Sequence, residues 1–483
     1  MSTAEEPEVG LPLLPTPASA LFSGAAPWVT SDPFHEVRVS ISDELPRTHY
    51  TLSIHADGAW ITAGSEAALA DGRNMFAQIV YLARCRDLTD EAAIVGGPPS
   101  ADEPRSIPAV TISDAPTHAW RALMIDVARH FVPLEELRLL IDVMAVYRLN
   151  VLHLHLTDDQ GWRFEMRGYP ALTEVGAWRE RTVIGTPRFD GTDTFTNLRH
   201  GGFYTQDELA ELVAYAHARG VQIVPEVSMP GHVQAAIAAY PTLGATDAPV
   251  GVRETWGVSP HVLGTSDTAF QFVRDVLEQL TDVFDSPFIH VGGQDVPLEE
   301  WERSPEAAAR LQEWGYTREA EILGRFTTFA SQVLASRERR MVVWDTAPLV
   351  RVPDDAVVLH TGDGPSLATL TSRGFQTVAA SRRVLGLDHP ASQLPLERVF
   401  TGELVPPRLP DDERALVLGL DAQIFTDYLT SAVERQRSLM PRLLAVAQRA
   451  WGASEMSWPE FEERVHKHAA LIDLLGLEAD PTD

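Results

Sequence analysis

Short runs of apolar residues recur along the chain after about residue 115, each followed by a polar tip and then a helical pattern. Helices are expected between them, for example at Leu134–Arg148 and Gln206–Arg219. The apolar runs are ALMIDVA (122–128), NVLHLHL (150–156), VQIVPEV (221–227), FIHVGG (288–293), MVVWD (341–345), AVVLHT (356–361), QTVAAS (376–381) and ALVLGLDAQI (415–424). Eight such units predict an α/β fold, a (β/α)8 TIM barrel over residues 115–475. A doubly wound sheet is the alternative, but eight units favour closure.

The first part of the chain has a different pattern. Residues 11–110 contain alternating runs such as EVRVSIS and HYTLSIHADGAWITAG, followed by a helical stretch at Glu66–Arg84. This pattern predicts a small α+β domain that precedes the barrel. In GGPPSADEPRSIP (96–108), proline, glycine and charge replace periodicity, which predicts a linker.

The composition and net charge of the chain argue against several classes of binding partner and cellular location. The chain has 483 residues and a net charge of −29, which argues against nucleic acid and anionic membrane surfaces as partners. A single cysteine, Cys85, excludes an internal disulfide. The N-terminus MSTAEEPEVGLPLLPTP has no basic or apolar region of a secretory signal, and no apolar run is long enough to span a bilayer. We therefore expect a cytoplasmic protein, with its oligomeric state left open.

Polar side chains gather where the predicted strands end. In a barrel of this type, chemistry takes place at the C-terminal ends of the strands. Carboxylates, an arginine, a histidine and an aromatic ring are suited to binding and cleaving a sugar. The candidates at these ends are Arg129, Asp158, Asp159, His232, Gln294, Asp295, Trp344, Asp388 and Asp427.

His153 and His155 form an H-x-H pattern on one face of a predicted strand. Such spacing occurs in metal-dependent hydrolases, but Asp158 has the opposite parity and no further set of ligands follows. We therefore favour buried, hydrogen-bonded histidines over a metal site. No motif indicates a cofactor.

Each of three features near the strand ends can be interpreted either as ordinary structure or as part of a functional site. His232 is either a solvated loop residue or, with Asp158 and a second carboxylate, part of a chain that tunes a proton donor. Trp344 is either core or a flat wall for a sugar ring. Gly292-Gly293 is either a turn or a bend that lets the two following side chains reach the pocket.

Four segments carry a resemblance to a known family. They are DVARHFVPLEEL, LNVLHLHLTDDQGWRFE, GGFYTQDELAELVAYAHARGVQIVPEVSMPGH and SPFIHVGGQDVP, and they resemble glycoside hydrolase family 20, the β-N-acetylhexosaminidases, over about Leu11 to Trp451. In that family the 2-acetamido oxygen of the substrate attacks the anomeric carbon. A glutamate of the H-x-G-G-D-E motif protonates the leaving oxygen, and the aspartate before it holds the acetamido N–H.

The resemblance implies a role for each side chain that matches a family motif. Asp295 takes the position of the acid, and Asp158 with His232 forms the relay to it. The remaining matches imply that Arg129 grips sugar hydroxyls, that Asp388 and Asp427 hold outer hydroxyls, and that Trp344 lines the pocket wall.

The chain departs from the family pattern at positions that hold the acetamido group. The catalytic Asp-Glu pair is Gln294-Asp295, and the tyrosine of a Y-x-D motif is Gly386. One tryptophan of the acetamido cage is replaced near His360-Thr361, and the tryptophan of an L-W-x-E motif is Phe425, which we expect to contact the substrate. The aspartate before M-P-G-H is Ser228.

These losses are confined to one half of the pocket, which random drift in an inactive enzyme would not produce. We therefore expect an exo-acting glycoside hydrolase with Asp295 as general acid, acting on a terminal hexose-type sugar that lacks the 2-acetamido group. A neutral Gln294 can both donate to and accept from a 2-hydroxyl. Two alternatives stay open: a conventional β-N-acetylhexosaminidase with reduced substrate assistance, and a non-catalytic carbohydrate-binding pseudoenzyme.

Overall fold

The computed structural model describes residues 11–89, 104–186, 192–246, 249–347, 351–362, 365–452 and 455–481. Within these ranges the chain forms a small sheet domain followed by a closed barrel. Among the described helices, none combines the length and the apolar character needed to cross a membrane.

The first domain is a five-stranded sheet covered by one long helix. Its sheet has the order β1-β7-β4-β5-β3, and the helix Glu66–Thr89 packs on β4 and β5. Alternate residues of β4, beginning with Tyr50, are buried beneath the helix, as expected for a sheet with one solvated face. The strands are β1 (Ser19–Phe22), β2 (Trp28–Thr30), β3 (Arg38–Ile41), β4 (Tyr50–His55), β5 (Gly58–Ala63), β6 (Arg105–Ile107) and β7 (Val110–Asp114).

The predicted linker is wrong for the part of it that the structure describes. Strand β6 pairs antiparallel with β2, and β7 follows directly and lies between β1 and β4. Proline and glycine mark breaks in local periodicity, but they do not reveal pairing with strands far away in the sequence. Residues 96–103 of this segment lie outside the described residues.

The second part of the chain contains the remaining strands. Eight of them are parallel and run in the order β9-β13-β14-β15-β16-β17-β18-β8, and β8 also pairs with β9. This last pairing closes the sheet, so the predicted barrel is confirmed and a doubly wound open sheet is excluded. The strands are β8 (Trp120–Asp126), β9 (Val151–Asp158), β10 (Gly161–Trp162), β11 (Trp178–Arg179), β12 (His200–Gly201), β13 (Gln222–Val227), β14 (Phe288–His290), β15 (Arg340–Trp344), β16 (Val357–His360), β17 (Gln376–Ala379) and β18 (Val417–Ile424).

Helices surround the barrel and connect its strands. The two helices predicted after the first and second barrel strands are present and end slightly earlier than expected. The described helices and helical turns after the first domain are Leu134–Val146, Leu172–Gly176, Gln206–His217, Gln234–Ala239, Pro241–Leu243, Asp267–Val283, Glu299–Arg303, Pro305–Trp314, Ala320–Ser336, Leu367–Ser372, Arg382–Leu385, Leu396–Thr401, Asp411–Arg414, Ala432–Leu439, Arg442–Trp451, Trp458–Lys467 and Ala469–Leu474, with Pro33–Glu36 in the first domain.

A bulge in β9 changes which side chains face the barrel interior. His155 pairs with Glu226, but the next pair is Thr157 with Val227, so one extra residue lies in β9. The extra residue shifts the alternation and brings Asp158 to the side of His155, whose ring lies 3.0 Å from the Asp158 carboxylate. The opposite parity expected for Asp158 from strict alternation is therefore wrong.

Gly419 is required where the barrel closes. It lies opposite Trp120 in the β18–β8 pairing with φ +153°, and a Cβ there would lie 1.8 Å from the Trp120 carbonyl oxygen. Gly419→Ala should therefore lower the free energy of unfolding by about 2–4 kcal/mol, through overpacking and backbone strain. The measurement is the thermal midpoint at one fixed heating rate.

Gly24→Ala is the matched control, because a Cβ at Gly24 meets no atom within 4 Å. Its midpoint should differ little from that of the unchanged protein. Equal midpoints for the two variants would contradict the steric role of Gly419.

Candidate active site

A cavity of about 150 Å³ opens at the C-terminal end of the barrel. Six of the residues selected from the sequence line it, and four further polar residues complete the lining. The ten are Arg129, His232, Gln294, Asp295, Trp344, Thr346, Thr361, Arg382, Gln423 and Phe425. We call this space the inner cavity.

A larger cavity of about 850 Å³ adjoins it, and we call this space the outer cavity. Asp295, Arg382 and Phe425 line both spaces. Asp388 and Asp427 line only the outer cavity, where they lie with Asp295 and Phe425 but apart from the other predicted residues that line the inner cavity. Burial raises the pKa of the Asp427 carboxyl, although nearby Arg129 acts in the opposite direction.

Asp158 lies beneath the inner cavity and is fully buried. Its carboxylate accepts from Arg129 at 2.8 Å and from His232 Nδ1 at 3.0 Å. The backbone N–H of Asp159 also donates to it at 2.6 Å. One carboxylate therefore orients both the arginine and the histidine that line the cavity above it.

A chain of alternating charges continues from Asp158 into the barrel core. His155 joins Asp158 to Glu226 through its two ring nitrogens, at 3.0 and 2.6 Å. His153 joins Glu226 to Asp421 in the same way, at 3.0 and 3.2 Å. Each of these two rings contacts a carboxylate on both nitrogens, which requires the doubly protonated form.

These contacts shift the pKa values of the three histidines and of two carboxylates, Asp158 and Glu226. Burial alone would lower the pKa of the histidines, but their carboxylate partners raise the pKa to about 9 for His153 and to about 10 for His155 and His232. Burial alone would raise the pKa of Asp158 and Glu226, yet the adjacent cations hold both well below the usual range. These five groups are therefore charged at neutral pH.

His290 is different, although it lies 3.4 Å from Glu226. Its Nδ1 accepts the backbone N–H of Gly292 at 3.0 Å, so this nitrogen carries no proton and the contact with Glu226 is not an ion pair. Burial lowers the pKa of His290 to about 3, and the ring is neutral. It stacks on His153 with a centroid separation of 4.8 Å and supports Trp344 at 4.9 Å.

Trp344 is part of the barrel core and also lines the inner cavity, while its contact with a sugar ring stays a prediction. The residue is only 3% exposed. Its indole N–H donates to Glu226 at 2.8 Å, which fixes the plane of the ring. Glu226 therefore orients Trp344 in the cavity wall as well as His153 and His155 beneath the cavity.

His153 and His155 of the H-x-H pattern are buried and hydrogen-bonded, as expected from the sequence. His153, Glu226 and His290 have ligand atoms close enough to share a cation, as do Asp158, Asp159 and His232. In the first group Glu226 already receives two imidazolium N–H groups and an indole N–H. Hydrogen bonds thus account for its lone pairs.

The glycine pair bends the chain at the cavity rim. Gly292 and Gly293 have φ values of +71° and +91°, and a Cβ on Gly292 would lie 2.6 Å from Ser228 Oγ. This bend brings Gln294 and Asp295 to the same cavity. Asp295 itself has φ +47°, is exposed, and its side chain makes no hydrogen bond to a described residue.

Five buried polar atoms around the inner cavity have no hydrogen-bond partner among the described residues. Three belong to donors and two to acceptors. They are Arg129 Nε, His232 Nε2, Arg382 Nη1, Gln294 Oε1 and Gln423 Oε1. Buried polar groups are nearly always paired, and leaving one unpaired costs about 1–3 kcal/mol. Such a cluster of unpaired donors and acceptors makes the inner cavity a candidate binding site for a polar molecule.

Two central residues were missed from the sequence. Glu226 lies within the apolar run VQIVPEV, and a carboxylate inside such a run is itself a signal, because a buried charge needs partners. Arg382 lies in a short helix after β17, and nothing in its local sequence distinguishes it from the neighbouring Arg383.

Gly386 stands where the resemblance places a tyrosine. A Cβ at this position would lie 2.6 Å from the backbone carbonyl oxygen of Arg382 and 3.2 Å from the ring of His389. The local backbone therefore has no space for a larger side chain at residue 386.

Comparison with known proteins decides the family. The model of glycosyl hydrolase family 20, catalytic domain, matches residues 118–454. The chain belongs to glycosyl hydrolase family 20. The resemblance seen in the four sequence segments is thus confirmed.

Relatives within family 20 extend the likeness beyond the barrel. A β-hexosaminidase of Porphyromonas gingivalis is 32% identical over 77% of this chain and 48% of its own length, so the chain spans about half of that relative. A β-hexosaminidase of Akkermansia muciniphila is 31% identical over 88% of this chain and 83% of its own. The solved exo-β-N-acetylglucosaminidase of Vibrio harveyi is 26% identical, with a TM-score of 0.81 over 99% of this chain and 80% of its own.

The alternating carboxylates and protonated histidines around Glu226 predict how the stability of the fold changes with pH. The protonated histidines stabilise the fold fully below about pH 6.5, and this contribution is lost as the pH rises through 9 to 10. Glu226→Gln should lower stability at neutral pH by about 3–5 kcal/mol and flatten this alkaline loss, because a neutral amide no longer favours the imidazolium forms.

Thermal midpoints recorded from pH 6 to about 10 test this expectation. Glu300→Gln is the control, since Glu300 is also buried but contacts a separate histidine, His261, at 2.7 Å. Glu300→Gln should leave the decrease of the thermal midpoint at alkaline pH unchanged. Parallel midpoint curves for Glu226→Gln and the unchanged protein would refute the assigned role.

Proposed function

We propose that this chain is an exo-acting glycoside hydrolase of the hexosaminidase type that removes a terminal hexose-type sugar, with altered specificity at C2. The observation that carries the proposal is the set of five unpaired polar atoms beside an aromatic wall in one cavity. A pyranose ring has hydroxyls that donate and accept, and an apolar face that packs on an aromatic ring.

Two relatives supply the reaction class for this proposal. Both are named β-hexosaminidases, and both align over more than three quarters of this chain. In the proposed function, Arg129 binds sugar hydroxyls and Trp344 packs against the ring, since both line the inner cavity. Asp388 and Asp427 bind the outer hydroxyls from the adjoining space.

The proposed general acid is Asp295. Among the described residues that line the inner cavity, it is the only carboxylic acid. His232, which Asp158 holds from below, lines the same cavity and has a free Nε2. The relay proposed from the sequence thus runs from Asp158 through His232 toward Asp295, whose side chain is one methylene shorter than the family glutamate.

The altered C2 specificity rests on the polarity of the cavity. Gln294 is neutral and cannot offset the positive charge of an oxazolinium ion. The polar side chains of Thr346, Thr361 and Gln423 line the same space. A C2 hydroxyl fits these surroundings better than an acetamido group.

Parallel assays on aryl β-glucoside, aryl β-galactoside and the two aryl N-acetyl-β-hexosaminides test the specificity. We expect a higher kcat/KM for at least one of the plain hexosides than for either N-acetylated substrate. Clear preference for an N-acetylated substrate would establish a conventional β-N-acetylhexosaminidase instead. Sugar binding by calorimetry without hydrolysis of any substrate would establish a carbohydrate-binding pseudoenzyme.

Asp295→Asn tests the acid separately. Loss of a general acid should lower kcat about 10²–10⁴-fold on glycosides with poor leaving groups, and less on activated aryl glycosides, which need little protonation. Glu299→Gln, a nearby exposed carboxylate, is the control and should keep full activity. Unchanged turnover of poor-leaving-group substrates by Asp295→Asn would remove Asp295 from this role.

A further inference from the structure

Arg382 lies where the inner and outer cavities meet. Its Nη2 donates to Asp388 Oδ2 at 2.7 Å, and its guanidinium lies 4.5 Å from the ring centroid of Phe425. An ion pair and a stacked ring together fix the plane of a guanidinium. Arg382 is therefore held rigidly at the cavity junction.

One donor of this guanidinium remains available. Nη1 is buried and has no hydrogen-bond partner among the described residues. The inner cavity, which Arg382 also lines, contains the unpaired acceptor Gln294 Oε1. Gln294 stands where the family motif has the aspartate that holds the C2 acetamido N–H, and Arg382 lines the same cavity.

The charges around the cavity indicate what the free donor binds. Arg382 is already paired with Asp388, and Arg129 is paired with Asp158. Each guanidinium thus has its counterion within the protein, and a negatively charged ligand would gain no unbalanced cation. A neutral group that accepts one hydrogen bond and donates one matches the pair formed by Arg382 Nη1 and Gln294 Oε1.

We propose that Arg382 determines the specificity of this site by donating from Nη1 to the C2 hydroxyl of a neutral hexose, while Gln294 Oε1 accepts from that hydroxyl. This proposal rests on the proposed function and identifies the contact that distinguishes a hydroxyl from other substituents at C2. Arg382 touches the substrate at C2 and takes no part in proton transfer to the leaving group.

The test compares hexoses with their 2-deoxy forms. Calorimetry measures the affinity of glucose, 2-deoxyglucose, galactose and 2-deoxygalactose for the unchanged protein and for Arg382→Gln. We expect Arg382→Gln to weaken binding of the preferred hexose about 10- to 100-fold more than binding of its 2-deoxy form. The ratio is the readout, because the loss of the partner of Asp388 affects both ligands equally.

Arg383→Gln is the matched control, since Arg383 is adjacent, is exposed and lines neither cavity. It should leave all four affinities unchanged. Arg382→Lys serves if the glutamine variant has a lowered thermal midpoint. Lysine cannot bind Asp388 and the hydroxyl through one planar group, so the hexose preference should fall here also.

Three results would overturn the proposal. An unchanged ratio of hexose to 2-deoxyhexose affinity would place Arg382 away from C2. A larger loss for N-acetylglucosamine than for the hexoses would make an acetamido carbonyl its partner, and tight binding of glucuronic acid that Arg382→Gln abolishes would make the ligand an anion. If no sugar binds the unchanged protein, the proposed function falls as well; if hexosides are cleaved and only the ratio fails, the function stands without this contact.

Discussion

One buried carboxylate, Glu226, determines how the mouth of this barrel is arranged. Without its imidazolium partners it would be an uncompensated charge in a fully buried position, which costs several kcal/mol. Its contacts to His153, His155 and Trp344 join strands β9, β13 and β15 beneath the cavity. Because each histidine passes the interaction on to another carboxylate, the position of Asp158, and hence of Arg129, depends on a charge deep in the core.

This arrangement places rigid and adaptable parts of the site at different depths. Below the cavity, His153, His155, Asp158 and Glu226 are hydrogen-bonded to one another, so a ligand does not have to order them. Five unpaired atoms lie around the inner cavity, and they belong to two amides, an imidazole and two guanidinium groups. Asp295 is the exception, because it is exposed and makes no hydrogen bond to a described residue.

The architecture was accessible from the sequence because each barrel strand is a local apolar run bounded by polar residues. The site was only partly accessible, because its decisive contacts are not local. His153 meets Asp421 across 268 residues, and the bulge in β9 reverses the parity on which the Asp158 expectation relied. Motif positions located Gln294 and Asp295 correctly at one cavity. They gave no signal for Arg382, whose importance comes from Phe425 and Asp388, which follow it in the chain but meet it only in the fold.

The close approach of Gly386 to the carbonyl of Arg382 affects how this protein could be re-engineered. Adding a tyrosine at residue 386 would push against the backbone of the helix that positions the guanidinium. The two positions are therefore not independent design variables, and a single reverse substitution would cost stability before it restored any acetamido contact. Converting this part of the cavity to the family form requires transplanting residues 381–389 as one block.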